Sequence, residues 1–150
     1  MQQVSYVHTL SYTTDCAEDL ARCVLEQRGD FRHGLTKAFF VGSGSEANDA
    51  AMKCARQYWF QKGELKRRHF VARRQGYHGS TIGAMSVSSV LGRKVPDEGI
   101  LMDNATFVGP ADEYHGRGKE EMEEQSVEGL VEEVEREFLR VRPEAVRSFM

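Results

Sequence analysis

Lys37-Ala38-Phe39-Phe40-Val41-Gly42-Ser43-Gly44-Ser45-Glu46-Ala47-Asn48-Asp49-Ala50-Ala51-Met52-Lys53 is the stretch that decides the fold class. Its first five residues form a short, nearly continuous apolar run closed by glycine. That pattern suits a strand buried on both faces, as in a parallel sheet. Gly42-Ser43-Gly44-Ser45 then opens a helix, and Ser43 and Glu46 stand at capping-box spacing. Along the helix Ala47, Ala50, Ala51, Cys54, Ala55 and Tyr58 share one face, small enough to let the axis lie close to a sheet. Trp59 and Phe60 end it in bulk.

Working outward, Thr14 and Asp15 are good N-cap types, and the spacing after them predicts a helix to about Arg28, closed by Gly29. Downstream, His69 to Ala72 reads as a second strand, Gln75-Gly76-Tyr77-His78-Gly79-Ser80 as a turn, and Thr81 as the start of a short helix to about Ser88. Residues 90–113, punctuated by Gly92, Pro96, Gly99, Gly109 and Pro110, read as irregular chain. Ser126 can cap a last helix with an apolar stripe of Val127, Leu130, Val131, Val134, Phe138 and Val141. Ala145 to Met150 reads as another strand. Alternation of this kind predicts an α/β layered fold with a mostly parallel sheet. In it the strands near 37–42 and 69–73 run parallel, joined by the helix from about Ser45 to Phe60.

The chain has 150 residues, a formal net charge of -3 and 40% hydrophobic residues. Length predicts one domain, residues 1–150, with enough chain for a real core. The composition excludes wholesale disorder, a collagen repeat or a coiled-coil rod. No apolar run approaches the ~20 residues that span a bilayer, so no membrane role is expected. Residues 53–74 carry eight basic side chains against one acid, and residues 112–137 carry eleven acids against three bases. Solvated helix faces explain both, because the basic stretch lacks the glycine and aromatic interleaving of a single-strand nucleic-acid binder. No nucleic-acid partner is expected. MQQVSYVHTL has neither a basic start nor a long apolar stretch, so no signal peptide is expected. Cys16, Cys23 and Cys54 have no metal spacing and leave an odd thiol, which suits a reducing compartment. The expected location is the cytoplasm, with a mitochondrial one also compatible. His8, His33 and His69 share no metal-ligand spacing either.

Strand, glycine-rich turn, helix is an anion-binding arrangement. The first N–H groups of a helix lack internal acceptors, and the helix dipole adds partial positive charge there. A phosphate at Gly44–Ser45 is well served, with a capped helix and no ligand as the plain alternative. No Gly-Lys-Ser/Thr follows, which disfavours nucleoside triphosphate hydrolysis. Gly42-x-Gly44-x-x-Ala47 fits the loose dinucleotide fingerprint. Arg73 and Arg74 could then take an NADP 2′-phosphate, although they lie farther along than that fold expects. The flanks of Ser43 and Ser45 do not make a nucleophile elbow.

Residues 39–53, taken together with Gly76-Tyr77-His78-Gly79-Ser80-Thr81, closely resemble class III aminotransferases. These are pyridoxal 5'-phosphate enzymes of fold type I, including the ω-transaminases and the ornithine and GABA aminotransferases. Both motifs and the interval between them match. The resemblance is strong over residues 37–89 and weaker toward both ends. It implies a partial three-layer α/β/α large domain of the aspartate aminotransferase-like fold. It implies transfer of an amino group between an amine or amino acid and a keto acid, by a homodimer. Carried over, Gly44 and Ser45 are the phosphate cup, Tyr77 stacks on the pyridine ring, and His78 beside it is a further cofactor-binding candidate. Glu46 and Asn48 read as cap and scaffold.

The family's Schiff-base lysine and the carboxylate that pairs with the pyridine nitrogen come from later in a chain roughly three times as long. None of Lys37, Lys53, Lys62, Lys66, Lys94 and Lys119 sits in a matching motif, so no catalytic residue is assigned. The resemblance therefore implies the first half of the large domain, without the usual N-terminal segment and the catalytic-lysine half, and inactive by itself. Arg147 and Ser148 stand where the family has small or apolar residues, and His115 where it has an arginine. Two other functions are compatible with the residues: an NADP-binding oxidoreductase domain, and a non-catalytic domain that pairs with a full-length relative.

Overall fold

The computed structural model describes residues 4, 6–8, 11–26, 34–112 and 123–150. The chain divides into two compact units, Met1–Phe40 and Val41–Met150. The first holds helix α1, Asp15–Glu26. Its start is the expected one, with the Ala17 N–H donating to Thr14 Oγ1 at 3.3 Å. The predicted stop at Gly29 lies outside the described residues.

The second unit contains α2 (Gly44–Gln61), β1 (His69–Arg73), α3 (Ile82–Ser86), α4 (Leu91–Lys94), β2 (Ala105–Val108), α5 (Glu123–Val141) and β3 (Val146–Phe149). Short 3₁₀ segments at Val95–Ile100 and Pro143–Ala145 complete it. The strands form one parallel sheet in the order β2-β1-β3. Central β1 is buried on both faces, with Phe70, Val71 and Ala72 each at most 1% exposed. Alternation sends Phe70 and Ala72 to one face, where Met52 of α2 and Val87 join them. It sends Val71 to the other, where Val134, Phe138 and Val141 of α5 pack over Val71, Val108 and Val146. Helix, sheet and helix make the three layers.

Several expectations are corrected. Residues 35–41 carry no strand, and Phe39 is 77% exposed. A strand exists by pairing with a neighbour, and β1 has both of its edges taken by β2 and β3. The strand expected near residues 37–42, parallel to 69–73 in one sheet, is therefore absent. Within 90–113 the chain is more ordered than its glycines and prolines suggest, and Ala105–Val108 is a strand. The buried side of α2 carries Met52 and, half-buried, Ser45, Asn48, Ala55 and Trp59, whereas Ala51, Cys54 and Tyr58 of the expected alanine face are exposed. Helix α5 already runs at Glu123, so Ser126 lies inside it and does not cap it. Val127 and Val131 of its stripe are exposed.

Arg147 is accommodated although it enters a strand. Its Nε donates to the Arg67 carbonyl at 3.0 Å, and its guanidinium lies 4.9 Å from the centre of the Phe70 ring. His69 is held by Thr106, Nε2 to Oγ1 at 3.0 Å. His115 lies outside the described residues. No helix among the described residues is long and apolar enough to cross a membrane.

Candidate functional site

In α/β sheets ligands gather beyond the carboxyl ends of strands where successive connections leave to opposite sides. Here β1 leads to β2 on one side, and β3 arrives on its other side. The chain leaving the carboxyl end of β1 is the turn that contains Tyr77 and His78.

The second component is the start of α2. Ser43 is its N-cap, in extended conformation, and its Oγ accepts the Glu46 N–H at 3.2 Å. The Glu46 carboxylate reaches back to the Gly42 N–H at 2.7 Å. This reciprocal arrangement satisfies the Glu46 and Gly42 donors. Gly44 and Ser45 are the first two helical residues, whose N–H groups have no intrahelical acceptor. A Cβ on Gly44 would meet no atom within 4 Å. Nothing among the described residues requires glycine there, and glycine costs about 1 kcal/mol against alanine in a helix. A bare backbone at that point leaves room for close approach by a ligand.

The turn is fastened to this helix start. The Ser80 N–H donates to Ser45 Oγ at 3.0 Å, and Asn48 Nδ2 donates to the His78 carbonyl at 2.6 Å. Gly79 is buried, with φ +138°, and a Cβ there would lie 2.8 Å from both Cα and Cβ of Ser45. Only glycine permits the approach. On the other side the His78 N–H donates to Ser88 Oγ at 2.9 Å, which itself donates to the Ala84 carbonyl at 2.8 Å. Ser88 is 3% exposed and was not singled out by sequence, where it reads as an ordinary polar residue after a short helix.

Ser45 Oγ accepts one hydrogen bond and keeps its own O–H to donate. Tyr77 is 53% exposed, and the Arg93 guanidinium lies 5.2 Å from the centre of its ring. His78 differs: its Nε2 is shut off from solvent, has no hydrogen-bond partner among the described residues and lies 3.1 Å from where a Gly76 Cβ would be. Lys53 is exposed on α2. Of the arginines that an NADP reading would use, only Arg74 has an ion-pair partner among the described residues, and Arg73 Nη1 is buried without a hydrogen-bond partner there. Arg73 lies 5.4 Å from the centre of the Phe149 ring, and Arg74 pairs with Glu133 of α5. A cleft runs along β2, lined by residues including Arg74, Lys94, Phe107 and Glu137 but by neither Ser45 nor Tyr77.

The family model for class III aminotransferases matches residues 1–146. An uncharacterized aminotransferase of Schizosaccharomyces pombe is 38% identical over 99% of this chain and 32% of its own length. Putrescine–pyruvate aminotransferase of Pseudomonas aeruginosa is 33% identical over 78% of this chain and 25% of its own. Among solved structures, the omega transaminase of Pseudomonas jessenii in complex with PMP superposes with a TM-score of 0.87. It is 27% identical, covering 95% of this chain and 31% of that one. The chain thus spans about a third of the length of the curated relatives it matches. The three-layer fold with its parallel sheet is that of the large domain of these transaminases, in part, and class III aminotransferases use pyridoxal phosphate. By the family model over nearly its whole length, this chain belongs to the class III aminotransferases.

Proposed function

We propose that residues 41–150 are the phosphate-holding part of a pyridoxal-phosphate transaminase that moves an amino group between an amine or amino acid and a keto acid. The observation that carries this reading is the open backbone at Gly44, set in the anion-binding turn of α2 and fastened to the turn that bears Tyr77. The Gly44 and Ser45 N–H groups and the Ser45 hydroxyl bind the phosphate. Tyr77 orients the pyridine ring by stacking and excludes water from that side. His78 serves through its main chain, which holds the turn. When bound, the cofactor supplies an electron sink for negative charge developing at the substrate carbon. The lysine and carboxylate that this chemistry needs match no motif of this chain, so the 150 residues act with the remainder of a transaminase active site. We assign that assembly to a homodimer, in a reducing compartment such as the cytoplasm, in keeping with three exposed cysteines.

The test is a titration of the chain with pyridoxal phosphate, followed by backbone amide shifts. Saturable shifts at Gly44, Ser45 and Tyr77 support the assignment. Shifts confined to the surroundings of exposed lysines such as Lys62 and Lys66 reject it.

A further inference from the structure

The geometry points to Asn48 as the positioning residue that sets the Tyr77 ring against the phosphate-binding backbone, with Ser88 as its counterpart across the turn. This inference rests on the function proposed above and names residues that touch no ligand.

The two halves of the site belong to different elements. Gly44 and Ser45 belong to α2, and Tyr77 to the chain after β1, so nothing local fixes their separation. Both main-chain polar groups of His78 are satisfied by side chains. Its N–H goes to Ser88 Oγ and its carbonyl to Asn48 Nδ2. A peptide unit is planar and includes the α-carbons at both ends. Ser88 therefore fixes the plane that carries the Tyr77 Cα, and Asn48 fixes the next plane, between His78 and Gly79. Asn48 lies one helical turn beyond Ser45, about 4.5 Å along the axis, so its amide measures from the same rigid helix that presents the phosphate donors. Ser45 supplies a second tie through Ser80, but its hydroxyl also faces the phosphate. Asn48 is the tie that a ligand leaves undisturbed.

The experiment uses the full 150-residue chain with Asn48→Leu, which is uncharged and of similar size, Asn48→Ser as a milder change, Ser88→Ala, and Ser88→Thr, which keeps the hydroxyl. Inorganic phosphate and pyridoxal phosphate are the two probes. The Trp59 indole N–H, bonded to the Arg147 carbonyl, reports on the fold. We expect Asn48→Leu and Ser88→Ala to weaken pyridoxal phosphate by about tenfold while inorganic phosphate changes by less than about twofold. Ser88→Thr should restore the wild-type ratio, and Asn48→Ser should fall between. A ligand-free arm follows hydrogen exchange at His78 and Ser80, expected to quicken in Asn48→Leu with β1 and Trp59 unchanged. Equal loss of both probes, or unchanged exchange at His78 and Ser80, overturns the inference. A wild-type chain that binds neither probe overturns the cofactor reading instead, and the exchange arm still decides whether Asn48 holds the turn.

Discussion

Gly79→Ala is the substitution whose cost the structure specifies most fully. At φ +138° a side chain is strained, by about 1–3 kcal/mol for such backbone regions. The new methyl would also lie 2.8 Å from Ser45 Cα and Cβ, well inside the ~3.5–4.0 Å of favourable carbon contact. Both contacts are on the helix itself, so a rotamer change cannot relieve them. The turn either strains in place or lifts off α2, which breaks the Ser80–Ser45 hydrogen bond, worth about 0.5–1.5 kcal/mol. We expect a loss of about 2–4 kcal/mol if the turn stays and strains, less if it detaches, and a melting temperature lower by roughly 10 °C. Pyridoxal-phosphate affinity should be lost where the turn detaches, because detachment carries Tyr77 away. The assays are thermal unfolding and the amide-shift titration. A Gly79→Ala chain within about 0.5 kcal/mol of wild type, with unchanged shifts at Ser45 and Tyr77 on adding cofactor, would refute the steric reasoning.

Gly44→Ala should behave in the opposite way. The ligand-free chain should be as stable as wild type or up to about 1 kcal/mol more stable, because the methyl enters open space in a helix, while phosphate binding weakens; equal affinity would remove the ligand from that position. The Glu137 carboxyl is held down to about 2, first by its hydrogen bond from Arg140 and then by Thr106, against the cost of burial. A depressed carboxylate contributes stability above its ordinary value and loses it as pH falls through the folded value. Glu137→Gln should therefore cost about 1–2 kcal/mol near neutral pH after solvent screening, with the difference closing between about pH 5 and pH 2 in urea unfolding; a pH-independent difference would contradict this. The purified chain should not transfer amino groups, and borohydride trapping should map only to exposed lysines such as Lys62 or Lys66. Turnover abolished by changing one of its six lysines would show that the motif alignment is misplaced.

The parts of the fold legible in the sequence are those decided locally. The capping spacing of Ser43 and Glu46, the apolar His69–Ala72 run and the last strand each carry their signal within a few residues. The Lys37–Val41 run carries an equally strong local signal, yet a strand needs a partner, and apolarity cannot supply one. Ala105–Val108 shows the converse: four residues between Asn104 and Gly109 are too few for a periodic signal, and β1 beside them makes them a strand. The alanine face of α2 misled because small residues permit close packing without compelling it, and Met52 was the residue that found the core. For the proposed site, Gly44 and Ser45 come from motif and anion-binding chemistry, and Tyr77 from the family resemblance. The role of Ser88 could not be, since a hydroxyl that satisfies a backbone N–H ten residues away has no sequence pattern. His78 was legible as a member of the motif, while its inward Nε2 was not.

A crystal structure of the 150-residue chain grown with pyridoxal phosphate tests the central claim most directly. The account predicts the phosphate within hydrogen-bond distance of the Gly44 and Ser45 backbone nitrogens, and the pyridine ring against the face of Tyr77 opposite Arg93. Cofactor density bound elsewhere, or attached only at surface lysines with the Gly44–Ser45 turn bare, would contradict it.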